Sequence, residues 1–87
     1  MTMKIYFGSD HAGFVLKEAL KRFVADLGHE VTDCGAHECD ESDDYPDFVL
    51  PVVRAVAEDP EHRRGIVLGG SGQGEAIVAN RFAGVRA

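Results

Sequence analysis

Gly65-Ile66-Val67-Leu68-Gly69-Gly70-Ser71-Gly72-Gln73-Gly74-Glu75 is the stretch from which the fold of this 87-residue chain is read. An apolar run over 64–68 has the length of a buried strand. It ends in four glycines within six residues, and a helical pattern over 75–82 follows at once. A strand that turns through glycines directly into a helix is half of a β-α-β unit, and such units build parallel sheets.

The pattern repeats upstream. Residues 3–8 are a second apolar run closing on a glycine, and they read as the first strand. Over 14–27, Val15, Leu16, Ala19, Leu20, Phe23, Val24 and Leu27 recur at i, i+3 and i+4, which predicts a helix with this stripe toward the core. Lys17, Glu18, Lys21, Arg22 and Asp26 then fill its wet face, and Gly28 is placed as a stop. Residues 29–34 read as a less apolar strand, and the acidic stretch 35–44 as a loop. Pro46 suits the first turn of a helix running to about residue 57. Pro51 removes a backbone hydrogen bond there, which predicts a kink or a late start. Residues 59–61 form the next loop, and 84–86 look like the opening of a fourth strand.

The order is β-α-β-α-β-α plus the start of another strand. It predicts one α/β domain over 1–87, a three-layer α/β/α Rossmann-like parallel sheet. Three strands with a bare outer edge invite aggregation, so the sequence reads as the N-terminal part of a longer, truncated protein.

Composition narrows the functions. The chain is 45% apolar and 28% charged, the mixture of a globular domain. A net charge of −6 argues against a nucleic-acid partner, which needs clustered Lys and Arg. It leaves room for a small phosphorylated ligand held by local N–H groups. Cys34 and Cys39 are too few for a disulfide scaffold, and their spacing lacks a second ligand pair for zinc. No apolar run approaches the roughly 20 residues that span a bilayer, and no signal peptide precedes Lys4 and Ile5. The reading is a cytoplasmic protein with no metal and no cofactor.

In a parallel sheet, ligands bind beyond the carboxyl ends of the strands. Three segments reach that edge: Gly8-Ser9-Asp10-His11, Cys34-Gly35, and residues 69–75. The glycine turn is an anion cradle in the making, although it matches neither G-x-G-x-x-G nor the P-loop pattern. A tight turn alone explains it equally well. Glu75, in the first turn of the third helix, suits the helix dipole or a capping box with Gly72. Facing the cradle instead, it becomes a base beside a set of oxyanion donors, the pairing that enolisation needs. Asp10 can cap the first helix, and with His11 it also completes a polar constellation beside the cradle. Tyr45 borders the same region from the second loop. His29, His37 and His62 receive no role.

Gly8-Ser9-Asp10-His11-Ala12-Gly13-Phe14 resembles the G-x-D-H-A-G segment of the RpiB/LacAB sugar-phosphate isomerases. Asp44-Tyr45-Pro46 resembles their D-Y-P segment. The stretch from Gly65 to Gly72, then Gly74-Glu75 and Ala79-Asn80-Arg81-Phe82-Ala83-Gly84-Val85-Arg86-Ala87, resembles their glycine loop, helix and next strand. The resemblance implies interconversion of ribose 5-phosphate and ribulose 5-phosphate through an enediolate, without a metal. Many such proteins carry a cysteine base at the position of Gly69; a second, actinobacterial-like branch uses a glutamate at the position of Glu75. This sequence fits that branch, with Glu75 as base and the cysteines structural. Ser71 and the N–H groups of Gly70, Gly72 and Gly74 are then expected to stabilise the enediolate. Asp10 is expected to bind sugar hydroxyls, with His11 and Tyr45 near the sugar or its phosphate. The resemblance also implies a homodimer with a shared active site. Its ring-opening histidine and phosphate-binding arginines map beyond residue 87. The competing readings are an isomerase of a six-carbon sugar phosphate, a non-catalytic phosphate- or nucleotide-binding module, and an inactive fragment.

Overall fold

The computed structural model describes residues 2–35, 46–70, 73–82 and 85–87. Three strands, β1 (Lys4–Ser9), β2 (Glu30–Asp33) and β3 (Arg63–Leu68), form one parallel sheet in the order β2-β1-β3. Lys4 pairs with Glu30 on one side and Arg63 on the other, and Ser9 pairs with Leu68. The shared register brings the carboxyl ends of β1 and β3 level, and that edge carries the polar segments singled out above.

Three helices cover the sheet: α1 (Phe14–Asp26), α2 (Pro46–Glu58) and α3 (Gln73–Asn80), with a 3-10 turn at His11–Gly13 leading into α1. The helices α2 and α3 share one face. There Val49, Val53 and Ala79 are buried together, with Val67, Val78, Phe82 and Val85 packed around them. Val52 and Val56 of α2 come so close to β3 that Gly65 has no room for a side chain. The other face belongs to α1, which lies over β1 and β2. The three layers and the strand–helix alternation are those read from the sequence.

Four local expectations are corrected. Most of the predicted core stripe of α1 faces outward: Val15 is 78% exposed and Phe23 61%, and Leu16, Ala19 and Leu27 are exposed too, which leaves only Leu20 and Val24 of the stripe turned inward. The helix instead docks through Phe14, Lys17, Leu20, Lys21 and Val24, which recur at the same i, i+3 and i+4 spacing. Lys17, assigned to the wet face, is 0% exposed. The reason is electrostatic. Asp33, at the end of β2, accepts hydrogen bonds from Lys17 Nζ and Lys21 Nζ, both at 2.6 Å. Those bonds turn the two lysines toward the sheet.

The second helix starts at Pro46 and runs uninterrupted through Pro51. The ring of Pro51 lies on the exposed side, so it meets no packed neighbour, and the late start does not occur. The third correction is at the chain's end. Val85–Ala87 form no strand; Asn80 ties Ala87 down through its side-chain amide, accepting from Ala87 N at 2.8 Å and donating to its carbonyl at 3.3 Å. The fourth concerns boundaries: α3 begins at Gln73, not Glu75, and β3 begins one residue earlier than read, at Arg63. Gly28 does close α1, with φ of 95° and its N–H on Ala25 O at 3.0 Å.

Candidate active site

At the carboxyl end of β1 the chain leaves the sheet at Ser9. Asp10 N–H donates to Leu68 O at 3.3 Å, which couples the exits of β1 and β3. Asp10 then caps the 3-10 turn, its Oδ1 accepting from Gly13 N at 3.2 Å. The cap read for the first helix thus falls on the turn that leads into it, α1 itself starting after Gly13, and Oδ2 has no partner among the described residues. His11 is half-buried in the same turn. Gly13 packs directly onto Leu68: a Cβ there would lie 2.6 Å from Leu68 Cβ and 3.0 Å from its backbone carbonyl carbon and oxygen. Ser9 is fully buried, and its Oγ finds no hydrogen-bond partner among the described residues.

On the other side of this junction, β3 ends at Leu68 and the chain turns at Gly69 and Gly70. Gly70 approaches the first turn closely enough that a Cβ on it would lie 3.9 Å from Ala12 Cβ. The decisive feature is at Gly69. The carboxylate of Glu75 folds back from the first turn of α3 into the space that a side chain at Gly69 would fill; a Cβ there would overlap Glu75 Oε1 and Cδ. Glu75 is 5% exposed, and among the described residues its carboxylate makes no hydrogen bond or ion pair. A carboxylate serving only the helix terminus sits in water near free N–H groups. This one is enclosed against the glycine turn at the strand edge, in the first turn of α3.

Of the residues singled out in the sequence, Asp10, His11, Gly70, Gly74 and Glu75 are carried by the three turns that meet here. Tyr45, Ser71 and Gly72 lie outside the described residues, as does Cys39. Cys34 is half-buried; burial, and then the charge of Asp33, push its thiol above the ordinary range, so it is a poor thiolate. A groove of about 390 Å³ runs along the outer edge of β3 between α2 and 85–87, and none of the expected site residues lines it. No cluster of His, Cys, Asp and Glu among the described residues could hold a metal.

Sequence reading missed the Lys17–Asp33 pair beneath the β2 exit. Its only sequence signal is a lysine three residues after Phe14 on the docking side of α1, which spacing alone does not separate from a surface lysine.

Residues 5–87 match the model of the family described as Ribose/Galactose Isomerase. The chain belongs to the ribose/galactose isomerase family. Its relatives in this family include ribose-5-phosphate isomerase B of Mycolicibacterium paratuberculosis, 48% identical over 84 residues, covering 97% of this chain and 52% of that protein. A second relative, the 4-deoxy-4-sulfo-D-erythrose isomerase of a Clostridium species, is 43% identical over 86 residues, 98% of this chain and 53% of that one. Among solved members, ribose-5-phosphate isomerase B from Mycoplasma genitalium with bound ribulose-5-phosphate superposes with a TM-score of 0.92 at 34% identity, over 95% of this chain and 55% of that one. The chain thus spans about half the length of the family relatives it matches.

Proposed function

We propose that this chain supplies the proton-transfer half of an aldose–ketose isomerase acting on D-ribose 5-phosphate and D-ribulose 5-phosphate, with Glu75 as the general base. The observation that carries the proposal is the Glu75 carboxylate, buried against Gly69 at the carboxyl edge of the sheet with no hydrogen bond among the described residues. The family membership and the ribulose-5-phosphate bound to a solved relative support the substrate class.

The reaction needs a weakly acidic proton removed beside a carbonyl. Glu75 takes the proton from C2 of the open-chain aldose. The electron pair of that C–H bond forms the C1–C2 double bond, and the carbonyl pair moves onto O1. The resulting enediolate carries its charge where Ser71 and the N–H groups of Gly70, Gly72 and Gly74 are proposed to donate. Losing one such donor costs on the order of 100- to 1000-fold in rate. The O2 proton passes to O1, and Glu75 returns its proton to C1, leaving a ketone at C2. The step is balanced without metal or redox cofactor. Asp10 is proposed to hold sugar hydroxyls through Oδ2, with His11 and Tyr45 beside the sugar or its phosphate. The complete enzyme is proposed to be a cytoplasmic homodimer whose partner subunit completes each site.

The relative that acts as a 4-deoxy-4-sulfo-D-erythrose isomerase is matched over 53% of its length, so an isomerase of a different sugar shares this portion. Steady-state conversion of ribose 5-phosphate by the full product of the reading frame tests the proposal. Conversion is expected, with a loss of about 100- to 10 000-fold in kcat for Glu75→Gln at unchanged circular dichroism. Near-normal turnover by Glu75→Gln removes Glu75 from the base role.

A further inference from the structure

The buried ion pair between α1 and β2 lies outside the machinery described above, yet it is connected to it. Lys17 Nζ donates to Asp33 Oδ2 at 2.6 Å and to Glu18 Oε2 at 3.0 Å, and it sits 5.2 Å from the centre of the Phe14 ring. Lys21 Nζ donates to the same Asp33 oxygen. The other oxygen of Asp33 faces the site. Its Oδ1 accepts from Gly35 N at 2.8 Å, closing a turn in which Gly35 has φ of 117°. Gly35 O in turn accepts from Ser9 N at 2.8 Å, and Cys34 N donates to Phe7 O at 2.7 Å.

A chain of hydrogen bonds therefore runs from Lys17 through Asp33 and Gly35 to Ser9, the residue before Asp10. Its first members are shielded from water: Lys17 is 0% and Asp33 14% exposed. A buried lysine is expensive unless its geometry is used, and removing its partner leaves an uncompensated charge. A helix needs no such pair to dock, because an apolar residue at position 17 would do so at lower desolvation cost. What an apolar residue cannot do is join Lys21 in donating to Asp33 Oδ2, and the carboxylate rotamer that the two lysines fix together sets the turn.

We propose that Lys17 and Asp33 are positioning residues: they hold the Asp33–Gly35 turn, and through it the Ser9–Asp10 exit, in the geometry that receives the sugar phosphate. The pair touches neither substrate nor base. Its hydrogen bonds run to the β1 and β2 exits, while Glu75 and Gly69 hang from β3 and α3, whose exit is tied to Asp10 by one backbone bond at 3.3 Å. Binding of substrate and the proton-transfer step therefore separate. The proposal rests on the isomerase reading for its functional half only.

Lys17→Met tests it, since methionine keeps the length and apolar stem and Lys21 still reaches Asp33. Two readouts are needed. Amide hydrogen exchange in the chain is expected to rise at least tenfold at Gly35 and Ser9, with the α2 amides of Val53 and Val56 unchanged. In the full product of the reading frame, KM for ribose 5-phosphate is expected to rise about tenfold with kcat within twofold. Lys17→Arg, which restores a cation for Asp33, is expected to recover at least part of both. A uniform rise in exchange at all amides, as for a merely structural ion pair, overturns the proposal, and so does an unchanged KM in an active enzyme. If wild-type protein turns over no sugar phosphate, the isomerase reading fails, and the exchange pattern still decides whether the pair sets the turn.

Discussion

Replacing Gly69 by alanine puts one methyl group where the Glu75 carboxylate lies. The added Cβ would overlap Oε1 and Cδ and come within 2.9 Å of Oε2, so the carboxylate must move. Glu75 is 5% exposed, so the flexible end of its side chain has to give way inside the packed site. Overpacking of this kind costs about 1–3 kcal/mol. Two other effects of the substitution work in its favour or do nothing. Gly69 does not have a positive φ, so alanine adopts its backbone without strain, and the loss of unfolded-state freedom stabilises by about 0.4–1 kcal/mol. The steric conflict must therefore come almost wholly from Glu75. A double-mutant cycle isolates it. Gly69→Ala alone is expected to destabilise by about 1–3 kcal/mol less that entropic gain, with Tm falling roughly 4–8 °C for each net kcal/mol in a domain of this size. In a Glu75→Ala background the same change is expected to be neutral or stabilising, giving a coupling of about 1–3 kcal/mol. Urea and thermal unfolding of the four proteins measure it without any appeal to activity. Equal effects of Gly69→Ala in both backgrounds would refute the placement of the carboxylate, and with it the geometric basis of the site.

Three further outcomes follow from the same geometry. Gly13→Ala sets a Cβ 2.6 Å from Leu68 Cβ and 3.0 Å from its backbone carbonyl, so unfolding experiments should show a loss of about 1–3 kcal/mol; an unchanged midpoint contradicts the packing of the two strand exits. Burial works to raise the Asp33 carboxyl, but hydrogen bonds from Lys17, Lys21 and the Gly35 N–H outweigh it and bring it from 3.8 to about 2. Because the folded value is the lower one, its contribution is present above about pH 4 and is lost as pH falls through 2. The wild-type advantage over Asp33→Asn should therefore shrink by about 1–2 kcal/mol between pH 6 and pH 2, after allowance for solvent screening; a pH-independent difference contradicts the ion pair. Replacing Glu75, enclosed and without a hydrogen bond among the described residues, by leucine is expected to raise Tm while abolishing turnover, because a polar group buried without a hydrogen bond is a cost to folding; a fall in Tm by calorimetry would show that the carboxylate has a stabilising partner.

The sequence carries the architecture because each strand and helix announces itself locally. Residues 64–68 followed by glycines can only be a strand meeting a turn, and Gly28 stops α1 as its position implies. Asp10 caps the following turn as read. The rotation of α1 was not legible. Val15, Leu16, Phe23 and Leu27 make a convincing apolar stripe, yet the helix turns Lys17 and Lys21 inward, because their partner Asp33 lies on a strand 16 and 12 residues further on. Helical periodicity sees neighbours within a turn or two and is blind to a pairing set by the sheet. The same limit hides the site. Gly69 and Glu75 are recognisable as a turn residue and a first-turn acid, but only the fold shows that the carboxylate lies over the missing side chain. Pro51 misled for a simpler reason: the ring falls on the outer side of α2, and the helix absorbs one lost hydrogen bond.

The central claim is that Glu75 moves a proton between adjacent carbons of a sugar phosphate. Its most direct test is proton NMR of ribose 5-phosphate in deuterium oxide with the full product of the reading frame and its Glu75→Gln variant. The account predicts ribulose 5-phosphate carrying deuterium at C1 with the wild-type protein, and neither conversion nor deuterium incorporation with the variant. Undiminished deuterium incorporation by Glu75→Gln, or no conversion by the wild-type protein, would contradict it.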